Sequence, residues 1–92
     1  MKPLILKITT ETNKATGDLV AVYFYVREGK SAEIREYADG RAFADYNRQG
    51  ELLGVELLAP CEITVLDRIA RREPKPVKRF LRSAIPLEMA VV

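Results

Sequence analysis

The sequence predicts an α+β domain, an antiparallel β-meander of about five strands followed by two short C-terminal helices. Three observations carry that expectation. Leu19-Val20-Ala21-Val22-Tyr23-Phe24-Tyr25-Val26 is β-branched and aromatic, the composition of a strand. Turn-forming residues recur between the apolar segments, at Gly17, Gly29, Asp39-Gly40 and Gly50. After Pro60 the apolar spacing changes from a period near two to a helical one.

Taken in order, Leu4, Leu6 and Ile8 lie on one face of a first strand running to Thr9. Thr10 to Gly17 is polar and reads as a turn or loop. The second strand, Leu19 to Val26, is apolar on both faces, which places it centrally with both sides covered. Glu28-Gly29-Lys30 reads as a tight turn. Ala32 to Tyr37 is a third, more polar strand near an edge, and Asp39-Gly40 tolerates the positive φ of a hairpin turn.

Arg41 to Asn47 forms the fourth strand. Arg48-Gln49-Gly50 suits a three-residue loop ending in a left-handed glycine, which pairs Asn47 with Glu51, Asp45 with Leu53 and Phe43 with Val55. On that register Ala44 faces Gly54 across a shallow trough. Phe43, Asp45, Leu53, Val55 and Leu57 share one face. Ala42, Ala44, Tyr46, Leu52, Gly54, Glu56 and Leu58 share the other.

Thr64 and Asp67 have capping-box spacing, and Ile63, Leu66, Ile69 and Ala70 follow at helical intervals. Pro74 and Pro76 separate this helix from a second, with Pro76 in its first turn. Val77, Phe80, Leu81, Ala84 and Ile85 make one apolar stripe, ended by Pro86. Three fates are open to Leu87–Val92: a further strand, a contact with a neighbouring subunit, or fraying. One domain is expected over 1–92, divided into a meander (1–60), a helical segment (61–86) and a tail (87–92).

Composition excludes several chemistries. The 92 residues are 48 % hydrophobic, too apolar for a disordered chain. No apolar run approaches the roughly 20 residues of a membrane helix, and the N-terminus lacks the pattern of a signal peptide. With no histidine and one cysteine, Cys61, no disulfide, structural zinc site or His-based triad can be assembled. A reducing cytoplasm is the expected compartment, and neither a cofactor nor a metal is expected. Cys61 reads as a small buried residue.

The formal net charge is +2, unevenly spread: residues 1–66 carry −2, and residues 67–82 carry +5.

The segment Asp18-Leu19-Val20-Ala21-Val22-Tyr23, then Ala44-Asp45-Tyr46-Asn47, Gly50 and Gly54-Val55-Glu56-Leu57-Leu58 resembles the core of domain-of-unknown-function family 2283. The similarity covers roughly residues 5–60. The chain departs from the family at Asn47, where a second Asp is usual, and in its longer segment after Cys61. The resemblance implies a small β-rich bacterial protein of the cytoplasm without known catalysis. Its members often sit beside a small toxin-like protein, which implies an antitoxin-type binding role.

The resemblance singles out Asp18, Asp45 and Glu56. A metal or acid/base role would require them to converge, but the register above sets Asp45 and Glu56 on opposite faces. Asp45 is therefore expected to cap its turn, Gly50 to supply the turn, and Gly54 to permit a close approach. Tyr23, Tyr25, Tyr37 and Tyr46 are expected in the core or an interface, with stacking on bases as the alternative.

The expected function is a non-enzymatic protein-interaction module, antitoxin-like or regulatory, which masks a partner and self-associates as a dimer. Its candidate partner-binding residues are Arg71, Arg72, Lys78, Arg79, Arg82, Phe80 and Leu81. A small nucleic-acid binder or autorepressor using the basic helices is the second expectation. A carboxylate enzyme is the third.

Overall fold

The computed structural model describes residues 3–86 and Met89. Five antiparallel strands form a single sheet: β1 (Leu4–Thr12), β2 (Leu19–Arg27), β3 (Glu33–Tyr37), β4 (Ala42–Tyr46) and β5 (Leu52–Leu58). Two helices follow, α1 (Val65–Ile69) and α2 (Lys75–Ser83). The α+β class read from the sequence is the class of the structure. Apart from Met89, the 87–92 tail lies outside the described residues.

The strand order is β1-β2-β5-β4-β3, so the chain departs from a continuous meander at one connection. β1 and β2 form a hairpin, closed by an Asn13 turn in which Oδ1 accepts the Ala15 N–H at 2.8 Å. The chain then crosses to the far edge, and β3, β4 and β5 run back as a meander until β5 pairs with β2. Glu28-Gly29-Lys30 is thus no tight turn. Five extended residues reach up to about 17 Å, enough to pass three strand spacings of about 4.8 Å. The crossing loop runs over the end of β5, where Leu53 packs so closely under Gly29 that a Cβ there would meet Leu53 Cδ2 at 2.9 Å. The Ala32 N–H then bonds to the Tyr46 carbonyl at 2.8 Å.

The β4–β5 turn has the expected loop, with the Asn47 N–H on the Glu51 carbonyl at 3.0 Å and Gly50 at φ +80°. Beyond it the expected register is wrong by one. A bulge between Leu52 and Gly54 pairs Tyr46 with Leu52 but Asp45 with Gly54, Ala44 with Val55 and Phe43 with Glu56. One extra residue on one strand reverses the facing of everything after it. No Ala44–Gly54 trough exists. Gly54 instead lies against β2, where a Cβ would meet the Phe24 carbonyl oxygen at 2.7 Å.

The helices cover one face of the sheet. Val22, Phe24, Val26, Ala42, Ala44, Tyr46, Leu52, Val55 and Leu57 point into a core completed by Cys61, Val65, Leu66, Ile69, Val77, Leu81 and Met89. Each large apolar side chain buried there contributes about 1.5–3 kcal/mol. The edge of the Phe80 ring meets the Phe24 ring at 5.8 Å and 88°, fixing α2 to β2. Pro74 is the N-cap of α2, and Pro76 lies in its first turn. The capping box at α1 does not form: Thr64 makes no side-chain cap bond, and Asp67 pairs instead with Arg82 at 2.8 Å.

Candidate functional site

The face opposite the helices carries a groove of about 810 Å³. Strand register builds its floor in two rows. Lys7, Tyr25, Gly54, Asp45 and Ile34 follow one another across β1, β2, β5, β4 and β3. Thr9, Tyr23, Glu56, Phe43 and Glu36 form the next row in the same strand order. Side chains alternate along a strand, so all of these share one face. Gly54 leaves a depression between Tyr25 and Asp45. The crossing loop, through Glu28 and Gly29, forms one wall.

This face exposes apolar side chains among its charged ones. Ile34 is 64 % exposed, Ile5 42 % and Tyr25 40 %. Leu53 is the exception, 6 % exposed beneath the crossing loop. Lys7 Nζ stands 5.8 Å from the centre of the Tyr25 ring, a cation–π contact. Asp45 accepts a hydrogen bond from Ser31 Oγ. The Tyr23 phenol has its pKa raised, chiefly by the Glu56 carboxylate beside it, with burial adding to the effect.

Comparison with known proteins finds no family model, no curated protein and no solved structure that matches this chain.

The candidate residues divide between the two faces. Asp45 and Glu56 stand on the same side, not on opposite sides, because of the bulge. Both line the groove, whereas Asp18 belongs to the β1–β2 turn and is not among its lining. Asp45 does not cap the β4–β5 turn. Asn47 does so: its Oδ1 accepts the Glu51 N–H, and its Nδ2 donates to Glu51 Oε1, each at 2.9 Å. Gly50 supplies the turn as expected, and Gly54 the close approach. Among the described residues, no three Cys, Asp or Glu side chains are grouped to hold a metal ion.

Tyr23 and Tyr25 face the groove, while Tyr46 lies in the core. The Arg35 guanidinium lies over the Tyr46 ring at 4.6 Å and that of Arg68 over the Tyr37 ring at 5.6 Å. Burial, with the Tyr37 hydroxyl adding to it, pushes the Tyr46 phenol up to about 12. Burial also raises the Cys61 thiol, leaving it a weak nucleophile at neutral pH.

On the helical side Arg71, Arg72, Lys78, Arg79 and Arg82 are exposed. Leu81 is 1 % exposed within the chain's own core, and Phe80 is half-buried against Phe24. Leu81 is therefore not a partner surface, because the sheet beneath it already takes the apolar stripe. A cleft of about 300 Å³ between the helices is lined by Asp67, Arg71, Lys78 and Arg82.

Two features carry no readable signal in the sequence. The bulge is one, because Leu52 and Leu53 are identical in type and either register buries a leucine. The other is Arg27, 5 % exposed, whose Nη1 contacts Glu73 Oε1 at 2.8 Å and donates to the Leu52 carbonyl at 2.9 Å.

Proposed function

We propose that this chain is a non-catalytic protein-interaction module that docks a partner on the helix-free face of its sheet. The observation that carries this reading is the pairing of a groove of about 810 Å³ with exposed Ile5, Tyr25 and Ile34 around it. Exposed apolar surface of this kind marks interaction sites. The resemblance to family 2283 supports an antitoxin-like or regulatory role, in which binding masks the partner. The sole cysteine, buried and unpaired, fits a cytoplasmic setting. No described helix is long and apolar enough to cross a membrane. Although Asp45 and Glu56 share the groove, it is open to solvent, and electrostatic catalysis works best where water is excluded.

The test is affinity capture from the native host with the folded chain as bait. Ile34→Glu with Tyr25→Ser should abolish recovery of a specific partner, while Lys78→Glu with Arg79→Glu should leave it intact. The reverse pattern would move the function to the helices. Truncation after Pro60 cannot serve, because it would strip the core of Leu66, Val77 and Leu81. Self-association as a dimer would appear in light scattering as a doubled mass, and Ile34→Glu reports whether this face carries it.

Nucleic-acid binding is the second reading, favoured by the seven exposed basic side chains of the helical segment, Arg68, Arg71, Arg72, Lys75, Lys78, Arg79 and Arg82. Its signature is an affinity for duplex DNA or RNA that falls steeply between about 50 and 200 mM salt. Absence of binding at the lower salt would end it.

A further inference from the structure

We infer that the occupant of the open face is a cationic segment of a partner polypeptide, with a Lys or Arg side chain set among Tyr23, Tyr25 and Phe43 and countered by Asp45 and Glu56. This inference rests on the protein-interaction reading above and names the chemistry of the partner.

The bulge in β5 is the physical origin of the site. It brings Asp45 and Glu56 onto one face, on adjacent strands and neighbouring rows, with Gly54 between Asp45 and Tyr25. The missing side chain at Gly54 gives an incoming chain access to the floor between an aromatic ring and a carboxylate. Aromatic faces attract cations, and the surface already holds one such contact within the chain, Lys7 over Tyr25.

Charge decides between occupants. Glu28, Asp45 and Glu56 line the groove against Lys7, while the charge of Arg27 is met from behind by Glu73. The face is thus acidic on a chain whose net charge is +2. Nucleic acid and acidic peptides are repelled from it. A second copy face to face is also disfavoured, because two sets of these carboxylates would meet only two lysines. A partner presenting basic residues among apolar ones satisfies both the carboxylates and the exposed Ile5 and Ile34.

The test uses three short fluorescein-labelled peptides, alternating Leu with Arg, with Glu or with Ser, read by fluorescence anisotropy at near-physiological salt. The Arg peptide should bind and the Glu peptide should not. The double variant Asp45→Asn and Glu56→Gln should weaken the Arg peptide by about tenfold or more, as expected for losing close charge pairs. Lys78→Ala with Arg79→Ala, on the far side, should leave it unchanged. Circular dichroism confirms that each variant is folded.

Equal binding of the three peptides, or indifference to the double variant, overturns the cationic assignment. If Ile34→Glu still abolishes binding in that case, the docking face stands and only its chemistry is wrong. If Ile34→Glu also has no effect, the docking face itself fails. A stable dimer dissolved by Ile34→Glu, with no peptide bound by the monomer, assigns the face to a second copy and overturns the inference.

Discussion

Arg27 at the end of β2 reaches Glu73, just before α2, with 2.8 Å between Nη1 and Oε1 and side-chain exposures of 3 % and 14 %. The contact ties the sheet to the helical segment, and the same Nη1 donates to the Leu52 carbonyl beside the bulge. Among the described residues the guanidinium Nε has no hydrogen-bond partner. Glu73→Ala leaves a buried cation uncompensated and is expected to cost about 3 kcal/mol. The double change Arg27→Met with Glu73→Leu should recover most of that loss, since an apolar pair removes both charges together. Urea unfolding midpoints of the single and double variants check both outcomes.

Gly54 faces a backbone carbonyl and not a movable side chain. Gly54→Ala would set its Cβ 2.7 Å from the Phe24 oxygen, forcing β2 and β5 apart. The expected destabilisation is about 1–3 kcal/mol. Hydrogen exchange should show faster exchange at the β2–β5 ladder than in wild type, with the β3–β4 ladder less affected.

The β4–β5 turn separates the roles of two neighbouring polar residues. Asn47→Ala removes both side-chain bonds to Glu51 and should cost about 1–2 kcal/mol. Asp45→Ala removes only a bond from the exposed Ser31 and should stay within about 0.5 kcal/mol. Thermal melts of the two variants compare them directly; equal losses would return the turn-holding role to Asp45.

Alkaline stability follows from Tyr46. Its phenol ionises near 10.0 when unconstrained and at about 12 in the fold, chiefly through burial. Between those values the folded chain holds a proton that the unfolded chain has released, so stability falls as pH rises. The contribution is complete below pH 10 and lost as pH passes through about 12. Tyr46→Phe should flatten that part of a melting-temperature profile.

Much of the fold is legible residue by residue. The aromatic and β-branched stretch around Phe24 forms the expected second strand, paired on both sides. The helical spacing of Val77, Phe80 and Leu81 forms α2, and Gly50 turns the chain where a left-handed residue was required. The core role of Cys61 also follows from its company, since no histidine is present to activate it. These are local matters: propensity, periodicity and turn chemistry act within a few residues.

Determined by the amino-acid sequence alone, then, were the number and type of elements, their punctuation, and the exclusion of histidine and disulfide chemistry. The tertiary structure decided which strand lies beside which, where the single extra residue of the bulge falls, and therefore which side chains share a face. Strand order depends on a crossing loop whose length permits more than one neighbour. Facing depends on a parity that one residue reverses. Asp45 and Glu56 meet in one groove for that reason, and no pattern along the chain distinguishes Leu52 from Leu53 as the residue that makes them do so.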